Sequence, residues 1–170
     1  MKAETVIIKY GGDILTSPAM LRSRDCVQHG NISVYTHSVM VAKYALLLAK
    51  RFGIRCNLRS LVRGALLHDF FMYDWHRGKM PEKVKKRGLH GFTHPVTAAK
   101  NAKRHFNVSR KVYYVIICHM FPLTLTRMPK SYEGWLVCLA DKYCSTLETL
   151  MIQPYSNADS DRLLKAVQTN

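Results

Sequence analysis

One stretch constrains this chain more than any other: Leu61-Val62-Arg63-Gly64-Ala65-Leu66-Leu67-His68-Asp69-Phe70. A helix this apolar belongs in a core, yet it delivers an imidazole and a carboxylate side by side. Aspartate is almost never fully buried unless it is paired or bound to a metal. A lone buried carboxylate costs several kcal/mol or takes up a proton. A divalent cation resolves the conflict, because it accepts nitrogen and oxygen lone pairs together. The fold must therefore bring further ligands to the end of this helix.

Helical spacing accounts for most of the rest, and strand signals are nearly absent, so the chain reads as all-α with six to seven helices. Ser17-Pro18 has the pattern of an N-cap followed by proline at the first helical position, which opens a short helix over about 18–27. Ser33 caps a helix over about 34–52, apolar at Val34, Val41, Ala45, Leu48 and Phe52, with His37 on the same stripe; Gly53 ends it. Asn57 caps a helix that ends in the His68-Asp69 pair. Residues 71–90 mix aromatics, glycine, proline and a dense run of lysine and arginine, and read as a long surface connection with a short helix at 81–87. Thr93 caps a helix to about Phe106 with His94-Pro95 in its first turn. Ser109 opens a helix over about 111–120 that runs into His119 and is stopped by Phe121-Pro122. A helix over about 132–150 carries Asp141 at its centre, and one over about 158–167 completes the chain.

A chain of 170 residues with 48% hydrophobic residues supports one domain with a real core. Twenty-six Lys and Arg against eleven Asp and Glu give a net charge of +15, a field that favours anionic partners such as phosphate esters, nucleotides or nucleic acid. The five cysteines, Cys26, Cys56, Cys118, Cys138 and Cys144, form no C-x-x-C pair, and the last three lie in apolar helical runs as small core residues. Such usage points to a reducing, cytoplasmic compartment. The first residues lack the apolar stretch of a signal peptide, and the longest helical run is broken by Lys43 and Lys50, so no membrane association is expected.

The ionisable residues placed in apolar helical runs are His37, His68, Asp69, His119 and Asp141, joined by His94 immediately before Pro95. They come from five separate helices. His37 shares a face with Val34 and Val41, His119 with Val115 and Ile116, and Asp141 with Val137 and Cys138. Two carboxylates and four imidazoles are about what two octahedral cations need, with water completing the shells. Histidine with carboxylate suits iron, manganese, cobalt, nickel or zinc better than magnesium or calcium.

His37, Leu66-Leu67-His68-Asp69, His94-Pro95, His119 and Asp141 together resemble the HD-domain superfamily of metal-dependent phosphohydrolases, in its binuclear H…HD…H…H…D form. The resemblance covers about residues 33–146, leaving an N-terminal extension over 1–30 and a C-terminal helix to pack on that core. It implies that His37, His68, Asp69 and Asp141 hold one metal, and that Asp69 bridges to a second held by His94 and His119. It further implies hydrolysis of a small phosphoester, such as a nucleotide, by attack of a metal-bound hydroxide. Phe70-Phe71-Met72-Tyr73 stands where the HD-GYP branch has Ile-Gly-Lys, and no GYP triplet follows, so the resemblance does not extend to cyclic di-GMP. The alternative is an HD domain that senses nucleotide or binds nucleic acid without turnover.

Further candidates lie near these residues. Asp74, soon after the metal pair, fits a general acid or a partner of the ligands, against a turn-capping aspartate. His90, four residues before His94, fits a proton donor or phosphate contact, against an ordinary loop histidine. Arg77 and Lys79 in the basic connection, Arg127 after the Phe121-Pro122 break, and Lys142 beside Asp141 are the candidates for substrate phosphate. A solvated charge run is the plainer reading for the rest of that connection. His29 and His105 have polar neighbours and are read as facing solvent. Tyr113-Tyr114 is read as core or as a wall of the site.

Overall fold

The computed structural model describes residues 2–73 and 90–169, with His90 described by its backbone alone. Among the described residues there are eight helices, α1 (Ala3–Leu15), α2 (Pro18–Leu21), α3 (Val34–Arg51), α4 (Leu58–Leu67), α5 (His90–Phe106), α6 (Arg110–Cys118), α7 (Tyr132–Thr149) and α8 (Asn157–Gln168). A two-stranded antiparallel hairpin, β1 (Val27–His29) and β2 (Ile32–Ser33), precedes α3. The all-α reading holds, and four of the five caps read from sequence are in place. Ser17, Ser33, Asn57 and Ser109 each accept from the backbone N–H three residues on, satisfying one of the donors that open a helix leaves unpaired.

The apolar run at 61–67 becomes the hub. Every residue of α4 from Ser60 to Leu67 is buried, and α4 packs against α1, α3, α6 and α7. Gly64 lets α6 approach it closely: a Cβ at this position would lie 2.5 Å from Val115 Cγ1 and 3.1 Å from Val115 Cβ. Arg63 is buried within this hub and is neutralised by Asp13 of α1, at 2.7 and 2.9 Å. Glu133 does similar work at the start of α7, accepting from the Asn57 backbone N–H at 2.7 Å and from Lys111 Nζ at 2.6 Å.

Several boundaries depart from the sequence reading. Helix α1 has no counterpart in it, because Gly11-Gly12 lowers helix propensity in the middle of the segment. Packing decides instead: the bare Gly11 faces Leu66 and Val62 of α4. The helix expected over 18–27 closes after Leu21, tightens into a 3-10 turn over Arg22–Asp25 and gives way to β1. Helix α3 stops at Arg51, leaving Phe52 as an exposed C-cap rather than the last residue of the apolar stripe. Helix α5 begins at His90, not at Thr93, so Pro95 lies inside it. Tyr114 is more than half exposed, with the Arg110 guanidinium over its ring, so it is not core. Cys118, Cys138 and Cys144 are buried free thiols as read. Among the described residues no helix is long and apolar enough to cross a membrane. The short helix read at 81–87 lies outside the described residues.

Candidate metal centre

Two helices end on the site in the same way. His68 is the C-cap of α4 and His119 is the C-cap of α6. Each turns its ring back so that Nδ1 donates to the carbonyl three residues earlier, Ala65 O and Ile116 O, both at 2.7 Å. A carbonyl only accepts, so Nδ1 carries the proton and Nε2 of each ring keeps a lone pair directed away from its own helix. His37, in the second turn of α3, is held likewise, with Nδ1 donating to the buried Glu148 carboxylate at 2.8 Å. Hydrogen bonding at the outer nitrogen is the arrangement found behind metal-bound histidine.

The free ends of these rings converge. His37 Nε2 lies 3.3 Å from His68 Nε2 and 3.2 Å from Asp141 Oδ1, and His68 Nε2 lies 3.6 Å from the same oxygen. Asp69 stands between this group and a second one. Its Oδ2 is 3.4 Å from His68 Nε2 and 3.9 Å from His37 Nε2. Its Oδ1 is 3.2 Å from His94 Nε2 and 3.5 Å from His119 Nε2, which are themselves 2.9 Å apart. All six residues are at least nine-tenths buried. Among the described residues two groups have the spacing to hold a cation, His37–His68–Asp141 and His68–Asp69–His119.

The donor set fits a divalent metal on its chemistry. His37 Nε2 and His68 Nε2 face each other although each ring already donates through Nδ1, so a shared positive centre is what makes the contact favourable. Asp69 Oδ1 is buried beside the His94 and His119 Nε2 atoms, with no aligned hydrogen-bond donor among the described residues, an environment that suits a cation. In the metal-free protein, protons stand in for that charge. Burial pushes the His37 imidazole down, but hydrogen bonds with Asp141 and Glu148 outweigh it and raise it to about 9. His68 rises to about 10 as the charges of Asp69 and Asp141 overcome the same burial. Burial and the neighbouring His68 charge push His119 down to about 3. Burial works against the ionised forms of Asp69 and Asp141, yet their histidine partners hold both carboxyls well below the usual range.

The remaining candidates divide. Lys142 is at the site but occupied, donating to Asp141 Oδ2 and to the His119 carbonyl, both at 2.9 Å; it braces two of the converging residues. Arg127 ends a 3-10 turn over Leu125–Arg127 and lines a separate surface cavity with Arg110, Tyr114 and Lys130 that contains none of the six clustered residues. Asp74, Arg77 and Lys79 lie outside the described residues, as does the His90 side chain. His105 is exposed as read, whereas His29 is half-buried, edge-to-face with His37 at a ring-centroid distance of 5.8 Å. The hairpin turns it inward.

Three contributors escaped the sequence reading. Glu148 follows Asp141 by seven residues, two turns along α7, and that spacing on a buried face was its available signal. Tyr155 donates to its other oxygen at 2.7 Å, completing a line from Tyr155 through Glu148 to His37. Gln28, on β1, donates from Nε2 to Asp69 Oδ2; a glutamine in a two-residue-deep hairpin leaves no trace in periodicity.

The HD-domain family model matches residues 34–146, more than half of the chain. Comparisons with curated proteins and with solved structures returned no match. That family implies divalent-metal binding, in keeping with the His and Asp clusters. The matched span begins at α3 and ends within α7, taking in all six converging residues, and the chain belongs to the HD-domain family.

Proposed function

We infer that this protein is a metal-dependent phosphohydrolase acting on a small phosphoester, with a nucleotide as the leading substrate class. His37, His68, Asp69 and Asp141 would hold one divalent cation, and Asp69, His94 and His119 a second. The observation that carries the reading is the Asp69 carboxylate, whose two oxygens face two different histidine groups, as a bridging ligand must. When bound, such cations supply Lewis acidity to phosphoryl oxygens and bring the pKa of water toward neutrality. The protein's own part is to hold the ligands still and keep the pocket dry. Glu148 and the carbonyls of Ala65 and Ile116 fix three imidazoles in the tautomer that offers Nε2. Lys142 fixes Asp141 against the end of α6. The net charge of +15 draws phosphorylated substrates toward the molecule.

The test is to count metal per chain in the purified protein, load it with manganese, iron, cobalt, nickel or zinc, and assay bis-p-nitrophenyl phosphate together with a panel of nucleotide mono-, di- and oligophosphates. Turnover abolished by chelator and by Asp69→Ala supports the reading. A fully metallated protein that releases no product from any of these esters overturns it, and nucleotide binding without turnover in the same samples would mark a sensor instead.

A further inference from the structure

Gln28 lies before the span that the family model covers, yet it reaches the centre of the site. It is buried, with its Nε2 donating to Asp69 Oδ2. Its place is set from two sides. Gly30, at φ +55, packs so tightly against α7 that a Cβ would stand 2.7 Å from the Glu148 carbonyl oxygen. On the other strand, Ser33 N donates to Asn157 Oδ1 and Asn157 Nδ2 donates to Asn31 O, each at 3.1 Å, tying the hairpin to the start of α8. The hairpin is thus clamped between α7 and α8 and presents one amide to one carboxylate oxygen.

We propose that Gln28 is a positioning residue which sets the rotation of the Asp69 carboxylate and thereby makes the second cation position. This rests on the two-cation reading above. The terminal torsion of an aspartate is broad and soft, so without a fixed partner its two oxygens can turn to chelate a single cation. The Gln28 amide grips Oδ2 on the His37–His68 side, which leaves Oδ1 aimed at His94 and His119, where it has no other hydrogen bond. An amide donor serves here as lysine or arginine would not. It orients the oxygen without adding charge to a site that must accept cations.

The experiment is a Co2+ titration of metal-free protein followed by visible absorption, with bound metal counted after desalting and thermal melting recorded on the same samples. Wild type, Gln28→Leu and His94→Ala are compared. Wild type is expected to take two equivalents. Gln28→Leu keeps the first with wild-type affinity and binds the second 10- to 100-fold more weakly, with metal-free melting close to wild type. His94→Ala also loses the second equivalent and shows that the position depends on its proposed ligands. If Gln28→Leu binds both equivalents as wild type does while His94→Ala does not, the two-cation reading survives and the role of Gln28 is overturned. If Gln28→Leu loses both equivalents together with its melting temperature, Gln28 is a packing residue and the proposal is equally overturned. If wild type takes a single equivalent, the second position and the proposal fall together.

Discussion

At the scale of single residues, the sequence exposes ligands more readily than the groups that hold them. His68-Asp69 stands out because polar residues at the end of an apolar helix contradict their surroundings. Glu148 contradicts its surroundings just as strongly, since its side chain is wholly buried, but it sits near a helix end where glutamate is ordinary. Glu133 is similar. Burial pulls its carboxyl upward, while hydrogen bonds from Lys111 and the Asn57 backbone outweigh this and hold it below its ordinary value of 4.5. A carboxyl lowered on folding stabilises the folded state above its unfolded pKa, and the contribution fades as pH falls through the folded value. Glu133→Gln is therefore expected to cost about 1–3 kcal/mol at pH 7. In urea melts the difference from wild type should shrink steadily below about pH 4.

At the scale of elements, α3, α4 and α6 were legible within a few residues because each joins a side-chain cap to an apolar stripe, while α5, α7 and α8 were placed within a few residues by their spacing alone. The exceptions have physical causes. Helix α1 forms in spite of its two glycines because α4 needs a partner for Arg63, which Asp13 supplies. The hairpin has two residue pairs, Val27–Ser33 and His29–Ile32, and is held by α7 and α8, so nothing local announces it. Helices α4 and α6 matter most to the site, since both close on it, and Gly64 sets their separation. Gly64→Ala should improve intrinsic helix propensity yet destabilise the protein by about 1–3 kcal/mol through the clash with Val115. Denaturant melts would read the loss, and metal affinity should fall with it because His68 and His119 are pushed apart.

At the scale of the whole molecule, the six converging residues come from α3, α5 and α7 and from the ends of α4 and α6, so the two proposed cations would together tie five elements into one unit. Metal that binds only the folded state adds about 2.7 kcal/mol when present at a hundred times its dissociation constant, and a chain of this size shifts by about 2–4 °C per kcal/mol. Chelation is expected to lower the melting temperature by roughly 5–10 °C, reversed by adding back manganese or cobalt but not sodium. The two helices that stop at His68 and His119 carry a further consequence. Each peptide stack gathers about half a negative charge at its C-terminal pole, and here two such poles are turned on one spot already holding carboxylates. On the proposed function, the backbone would repel phosphate from that spot until a bound metal reversed the sign, which would make cation first and ester second the order of arrival.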